Sequence, residues 1–281
     1  MSLDNQFRDA VATIQPKLRG WLHAATFPIA VTAGVALVTF APTTKAKVTA
    51  GIFALTAALL FGVSALYHRG HWSQRGRTVL RRLDHASIFL IIAGTYTPFT
   101  ILLLDGKDAR ILLTVVWAGA LLGVAFRVLW VEAPRWLYLP VYVALGWAAV
   151  FWLPTLAARG GAAVFVLIVS GGLLYSAGAV VYGLKRPDPS PRWFGYHEIF
   201  HACTLAGYAA HHVGVWLAAL GIGGPVTRLR PPRPRSACRM RGSASGSASR
   251  SPAPATSRRR RTSCCSISGS WASPSPTCPN T

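Results

Sequence analysis

The chain has 281 residues, of which 52% are hydrophobic and only 13% are charged, and its formal net charge is +21. Soluble domains carry roughly 25% charged residues, so a shortage of this size excludes an ordinary soluble fold and favours an integral membrane protein. The charge divides unevenly, because residues 222–281 hold 11 of the 29 basic residues and none of the eight acidic ones.

After a polar segment at residues 1–20, seven apolar runs follow one another along the chain. They cover residues 21–41, 48–68, 85–104, 111–130, 136–157, 162–184 and 197–220. Each has about 20 residues, and at about 1.5 Å per residue such a helix crosses a hydrocarbon core about 30 Å thick. We therefore expect an all-α fold in which residues 21–221 form a bundle of seven transmembrane helices.

The Lys and Arg residues of the short loops predict how this bundle is oriented. The N-terminal segment and the loops after runs two, four and six hold twelve of them, whereas the other three loops hold five. Cytoplasmic loops carry the excess of positive charge. The pattern predicts a multi-pass protein of the plasma (inner) membrane, with its N-terminus in the cytoplasm and, after seven crossings, its C-terminus outside.

Residues 222–281 form a low-complexity tail rich in Arg, Ser and Pro, without helical or strand periodicity. This composition is typical of a disordered segment. Two interpretations stay open. The tail is either a basic segment that contacts anionic headgroups or nucleic acid, or a segment without structural purpose, such as the product of a frameshift. We assign no function to it, and we expect no nucleic-acid partner for the protein as a whole.

The predicted topology brings polar groups from three helices to one membrane depth. Run two ends on the cytoplasmic side with Ser64 and His68, run three begins there with Asp84, and run seven begins there with His197 and His201. Polar and ionisable side chains are costly inside a bilayer and by default indicate a functional site. We therefore expect these five side chains to form one site near the cytoplasmic face.

The types and spacing of these residues point to a metal. His197 and His201 are four residues apart, so they share one face of a helix and can bind one ion. A histidine pair of this spacing is often structural, but His68 and Asp84 at the same depth favour a metal site. Three histidines with a further open position are typical of catalytic zinc, which acidifies a water molecule. Asp84 is then suited to orient or deprotonate that water, and Ser64 to hold it or the substrate by a hydrogen bond.

Several other polar residues receive a weaker interpretation. Glu198 lies in the first turn of its helix, where a carboxylate compensates the helix dipole. His211 lies about 20 Å further along the same helix, where it either lines a cavity or is a hydrogen-bonded core residue. The pattern does not connect four further histidines to the site, namely His23, His71, His85 and His212.

These motifs resemble the hemolysin III family, the bacterial branch of the progestin and adipoQ receptor family, which includes the adiponectin receptors. The matching stretches are Ser64-Ala-Leu-Tyr-His68, Leu83-Asp-His-Ala-Ser-Ile-Phe89, Ala93-Gly-Thr-Tyr-Thr-Pro-Phe99, Gly171-Gly-Leu-Leu-Tyr175 and His197-Glu-Ile-Phe-His201. The resemblance implies a seven-helix bundle with a cytoplasmic N-terminus. It also implies a Zn²⁺ ion held by His68, His197 and His201, with Asp84 and Ser64 matching the Asp and Ser that accompany the ligands.

Two functions are compatible with such a site. The first is a zinc-dependent hydrolase, similar to a ceramidase, that acts on a lipid amide or ester entering from the inner leaflet. The second is a non-enzymatic membrane protein, either a pore-forming haemolysin or a regulator of membrane lipid or energy homeostasis, in which zinc clamps two helices. In both cases the expected partners are membrane lipids, and the sequence leaves the oligomeric state open.

Overall fold

In a computed structural model the chain is all-helical over the described residues, 18–190 and 192–222. Most of the predicted polar N-terminal segment and of the predicted tail, residues 1–17 and 223–281, lies outside the described residues. The helices are α1 (Trp21–Phe40), α2 (Thr44–Arg69), α3 (Gln74–Leu103), α4 (Gly106–Leu129), α5 (Arg135–Gly146), a 3₁₀ helix (Ala148–Trp152), α6 (Leu153–Leu184) and α7 (Tyr196–Leu220).

Side-chain caps explain why some helices extend beyond the apolar runs that predict them. The hydroxyl of Ser73 accepts a hydrogen bond from the backbone N–H of Gly76, at 3.3 Å, and satisfies a donor that the first turn leaves free. As a result, α3 begins eleven residues before the predicted run, which started at His85. Asp84 therefore lies about 15 Å from the first residue of α3 rather than at its start.

The chain reverses its direction at Gly161, which interrupts α6. Gly161 has φ 77° and ψ 171°, a backbone conformation that is outside the helical region and is open to glycine. On either side of it, α5 and the second half of α6 run antiparallel. Three contacts establish this pairing: Arg135 donates to the carbonyl of Tyr182, Leu139 packs against Gly183, and the Trp147 indole donates to Ser176.

The outer surface of the bundle is apolar, as in a protein surrounded by lipid. Five stretches of the described chain are long and apolar enough to cross a membrane: α1, α2, α3, α4 and the segment Arg135–Leu184. Large apolar side chains on them are strongly exposed, among them Phe151 at 85% and Leu129 at 82%. These helices identify a multi-pass membrane protein. The helix α7 falls outside this set, and its 25 residues include four histidines and a glutamate.

One end of the bundle collects the chemically active side chains, and we call it the His68 end. There α1 begins, α2 ends and α7 begins, and α7 packs against α6 as well as α1, α2 and α3. An ion pair fastens this end, because the Arg19 guanidinium lies 3.1 Å from a carboxylate oxygen of Glu198. Arg19 lies just before α1, so this ion pair holds the start of α1 against the first turn of α7, although the two residues are 179 positions apart in the chain.

Candidate metal centre

Three histidines converge at the His68 end, as the sequence predicts. His68 comes from the last turn of α2, and His197 and His201 come from the first two turns of α7. One ring nitrogen from each lies within 4.8 Å of the other two. The ring centroids are 4.5–5.4 Å apart, so the three imidazoles surround one small volume.

The hydrogen bonding of these rings fits a bound cation. The Nε2 atoms of His68 and His197 are buried and have no hydrogen-bond partner among the described residues. A buried polar atom left without a partner costs about 1–3 kcal/mol, and such atoms are rare in folded proteins. Imidazole nitrogens are common ligands of divalent transition metals. A metal ion held by His68, His197 and His201 would satisfy both atoms at once.

The predicted Asp84 and Ser64 lie beside this triad. A carboxylate oxygen of Asp84 is 3.9 Å from Nε2 of His68, too far for a direct hydrogen bond. Ser64 is 1% exposed and lines the same cavity as Asp84. The arrangement provides a proton acceptor and a hydroxyl next to the ligand set.

A fourth histidine belongs to the cluster, and sequence reasoning missed it. His23, on the first turn of α1, is 2% exposed, and its ring stacks on that of His201 at 3.9 Å between centroids. Neither of its nitrogens has a partner among the described residues. Because the two ring planes are nearly parallel, His23 would pack against His201 and hold it in orientation rather than bind the same ion. The predicted topology did contain a signal, since run one begins at the same membrane depth as His197.

A cavity of about 130 Å³ extends from the triad into the bundle. At one end it is lined by Asp84, His197 and His201, and it continues between α3, α5 and α6 as far as His211. Most of its wall is apolar, with Ile88, Ile91, Ile92, Leu139, Val143 and Phe200 among the lining side chains. The cavity therefore joins a polar, metal-competent end to a long apolar space.

Glu198, which lies between two of the triad histidines, is in the first turn of α7 as predicted, where it forms a cap and an ion pair. One carboxylate oxygen accepts the backbone N–H of Gly195 at 2.9 Å, which caps the first turn of α7. The other accepts from Arg19. With both oxygens engaged, Glu198 fixes the start of the helix that carries His197 and His201.

The remaining histidines separate into cavity-lining, packed and exposed residues. His85 and His211 line the cavity, and His211 donates from Nε2 to the carbonyl of Ile168 at 3.1 Å. His212 is buried away from the cavity, with hydrogen bonds to Tyr208 and Trp216. His71 is exposed in the loop before α3. For His211, both predicted alternatives hold, because it is hydrogen-bonded and also lines the cavity.

Comparison with known proteins identifies the family to which this arrangement belongs. The family model described as "Haemolysin-III related" matches residues 11–212, which include α1 to α6 and α7 as far as His212. The chain belongs to the haemolysin-III related family. All three histidines of the triad, together with Asp84 and Ser64, lie within the matched residues.

Individual proteins that are similar to this chain come from bacteria and from animals. The "Hemolysin-3 homolog" of Bacillus subtilis (strain 168) is 35% identical over 159 residues, which cover 57% of this chain and 71% of the relative. "Hemolysin-3" of Bacillus cereus is 30% identical over 167 residues, or 59% of this chain and 73% of the relative. The "Adiponectin receptor protein" of Drosophila melanogaster is 27% identical over 198 residues, or 61% and 43% of the two chains.

Proposed function

We propose that this haemolysin-III protein is a zinc-dependent hydrolase of lipid amides or esters. The observation that carries the proposal is the convergence of three imidazoles from two helices, two of them with buried Nε2 atoms that have no partner, at the polar end of an apolar cavity. When bound, zinc would supply Lewis-acid chemistry by acidifying a water molecule and polarising a carbonyl group.

The side chains beside the triad are suited to the proton transfers of hydrolysis. In the reaction the oxygen of water forms a bond to the acyl carbon, and the bond from that carbon to the amide nitrogen or ester oxygen breaks. Asp84 accepts the proton of the attacking water at a carboxylate oxygen and returns it to the leaving amine or alcohol. Ser64 lines the cavity together with Asp84, and its hydroxyl is suited to hold that carboxylate or the substrate by a hydrogen bond.

The shape and chemistry of the cavity support a lipid as the substrate. Its apolar wall suits an acyl chain, because a chain that moves from the bilayer into this cavity exchanges one apolar environment for another and loses no hydrophobic stabilisation. A carbonyl at the end of that chain would then lie at the polar end, near Asp84. The same walls keep bulk water away from the reacting group, which strengthens the electrostatic interactions there.

For the membrane topology, we infer seven crossings of the inner membrane with the N-terminus in the cytoplasm. Two features support this inference. The reversal at Gly161 divides Arg135–Leu184 into two antiparallel arms, and α7 carries polar residues on the face that packs into the bundle. The loop charges then orient the His68 end towards the cytoplasm, so that lipids would enter from the inner leaflet.

The enzymatic proposal is tested with the purified protein loaded with zinc. We expect it to hydrolyse at least one member of a panel of N-acyl amino alcohols and glycerolipid esters. Asp84→Asn removes the proton acceptor, so kcat should fall about 10²- to 10⁴-fold while the zinc content and thermal stability stay near the wild-type values. Zinc binding without turnover of any lipid class would refute the hydrolase.

The relatives called hemolysins favour a second candidate, a cytolytic or regulatory membrane protein in which zinc clamps α2 to α7. In that case Asp84→Asn should leave function unchanged, whereas His68→Ala should reduce stability and function together. Leakage of dye from lipid vesicles measures the cytolytic activity. Leakage that is equal for the wild type and Asp84→Asn, without lipid hydrolysis, would favour the clamp over the enzyme.

A further inference from the structure

His85 has a contact that fixes which of its nitrogens carries the proton. It follows Asp84 on α3 and lines the same cavity. Its Nδ1 atom lies 2.9 Å from a terminal nitrogen of Arg127, and its backbone carbonyl accepts the hydroxyl of Tyr142 at 3.0 Å. The mechanism proposed above does not use His85, although it is anchored on both its backbone and its ring.

Arg127 is an unusual neighbour, because it is a charged side chain that is only 1% exposed and has no carboxylate partner among the described residues. It lies in the last turn of α4, where the partial negative charge of the helix end stabilises a cation. It donates to the carbonyl of Trp130 at 3.4 Å, and its guanidinium lies 4.3 Å from the ring centroid of Tyr138.

The chemistry of the guanidinium decides the tautomer of His85. A guanidinium has five N–H donors and no acceptor, so Nδ1 of His85 must accept the hydrogen bond. A doubly protonated imidazole would place two cations 2.9 Å apart without an intervening acceptor. The ring is therefore neutral and carries its proton on Nε2, the nitrogen on the other side of the ring from Arg127.

We propose that His85 donates this Nε2 hydrogen to the acyl oxygen of the substrate, and that Arg127 is the positioning residue that fixes the tautomer. The inference deepens the hydrolase proposal and rests on it for the reaction. Negative charge develops on the acyl oxygen when water adds to the carbonyl carbon. Because His85 lines the cavity, an N–H group held on its ring by the contact with Arg127 stabilises that charge without reorganisation.

Two substitutions of His85 separate this role from a purely structural one. In His85→Gln the side-chain amide can place an N–H near the position of Nε2, whereas in His85→Asn the carbonyl oxygen replaces Nδ1 as a partner for Arg127 and the donor to the cavity is lost. We expect His85→Asn to lower kcat about 10²- to 10³-fold with KM nearly unchanged, and His85→Gln to retain most of the activity. The reverse order, with Asn tolerated and Gln inactive, would mean that His85 only secures Arg127.

A measurement that needs no turnover keeps the inference separate from the hydrolase. Nitrogen-15 NMR of histidine-labelled protein in bilayers reports the tautomer, and we expect wild-type His85 to be protonated at Nε2. Arg127→Met should convert it to a mixture of tautomers. A wild-type ring protonated at Nδ1 overturns the inference.

The acyl-oxygen contact is tested with a long-chain methyl ketone labelled with carbon-13 at its carbonyl, which has no leaving group. Its carbonyl resonance should move further downfield in the wild type and in His85→Gln than in His85→Asn, because bound zinc would polarise the carbonyl equally in all three. Equal shifts in the wild type and His85→Asn overturn the role of His85 whatever the lipid assays give. A shift that follows this pattern in a protein that hydrolyses no lipid would sustain the donor and refute only the hydrolase.

Discussion

The imidazole rings of His23 and His201 lie face to face, with 3.9 Å between their centroids and 5° between their planes. His23 comes from α1 and His201 from α7, so the contact joins the two ends of the matched family region. It also covers one face of a triad histidine with a ring whose two nitrogens have no partner among the described residues. The candidate metal centre therefore includes more than the three histidines of the triad and extends into a helix to which the sequence motifs gave no role.

The stacking predicts how the affinity for metal depends on His23. His23→Ala removes the ring that holds His201 in orientation, so we expect a 10- to 100-fold weaker affinity for zinc, the usual cost of losing a supporting residue. His23→Phe keeps an aromatic ring against His201 and should bind zinc nearly as the wild type does. Competition with a zinc-sensitive chelating dye measures both. Equal affinities for all three proteins would contradict the supporting role.

The triad itself predicts which substitutions abolish metal binding. His68→Ala, His197→Ala and His201→Ala each remove one of three ligands, and we expect the purified variants to lose most of their zinc. Elemental analysis after dialysis measures the loss. His71→Ala is the matched control, because His71 is exposed and lies only three residues from His68. Retention of zinc by all three ligand variants would show that the metal, if any, binds elsewhere.

Gly20 predicts a steric route to the same defect. Its φ of +78° is strained for other residues, and a Cβ atom there would lie 2.5 Å from Cβ of His68. Gly20→Ala should therefore cost about 1–2 kcal/mol for the backbone conformation and in addition displace His68 and lower the zinc content. Gly221→Ala has a similar φ of +68° but nothing within 4 Å of the new atom, so it should lose stability without losing zinc. Thermal unfolding and elemental analysis of the two variants distinguish strain from displacement, and equal zinc contents would exclude the displacement.

The reversal at Gly161 predicts the accessibility of introduced cysteines. In a background in which all five native cysteines are replaced, Ala162→Cys should react with a membrane-impermeant thiol reagent added to intact cells. Arg75→Cys and Pro189→Cys should react only after the membrane is made permeable, because they lie at the opposite end of the bundle. All three positions are exposed. Protection of Ala162→Cys in intact cells would contradict the two crossings that the reversal gives to the segment Arg135–Leu184.

Local sequence patterns were sufficient to predict the helices and the three-histidine cluster. Apolar runs of about 20 residues predict helices whatever they pack against, and the i,i+4 spacing of His197 and His201 gives them a common face in any helix. Alternation of helix direction then brings His68 to the same end. The all-helical prediction and the three-histidine cluster are confirmed. The predicted start of the third helix was wrong by eleven residues, because hydropathy does not detect a polar first turn capped by Ser73.

The sequence by itself determined that helices form, that they are suited to a bilayer and that three histidines share one end, because each of these depends on local composition or on counting helix turns. Only the tertiary structure decided that His23 stacks on His201, that Gly20 touches His68, and that Arg127 fixes the tautomer of His85. These contacts depend on how each helix is rotated about its axis and how closely it approaches its neighbours. Those two quantities follow from the packing of all the helices together, which no single stretch of sequence specifies.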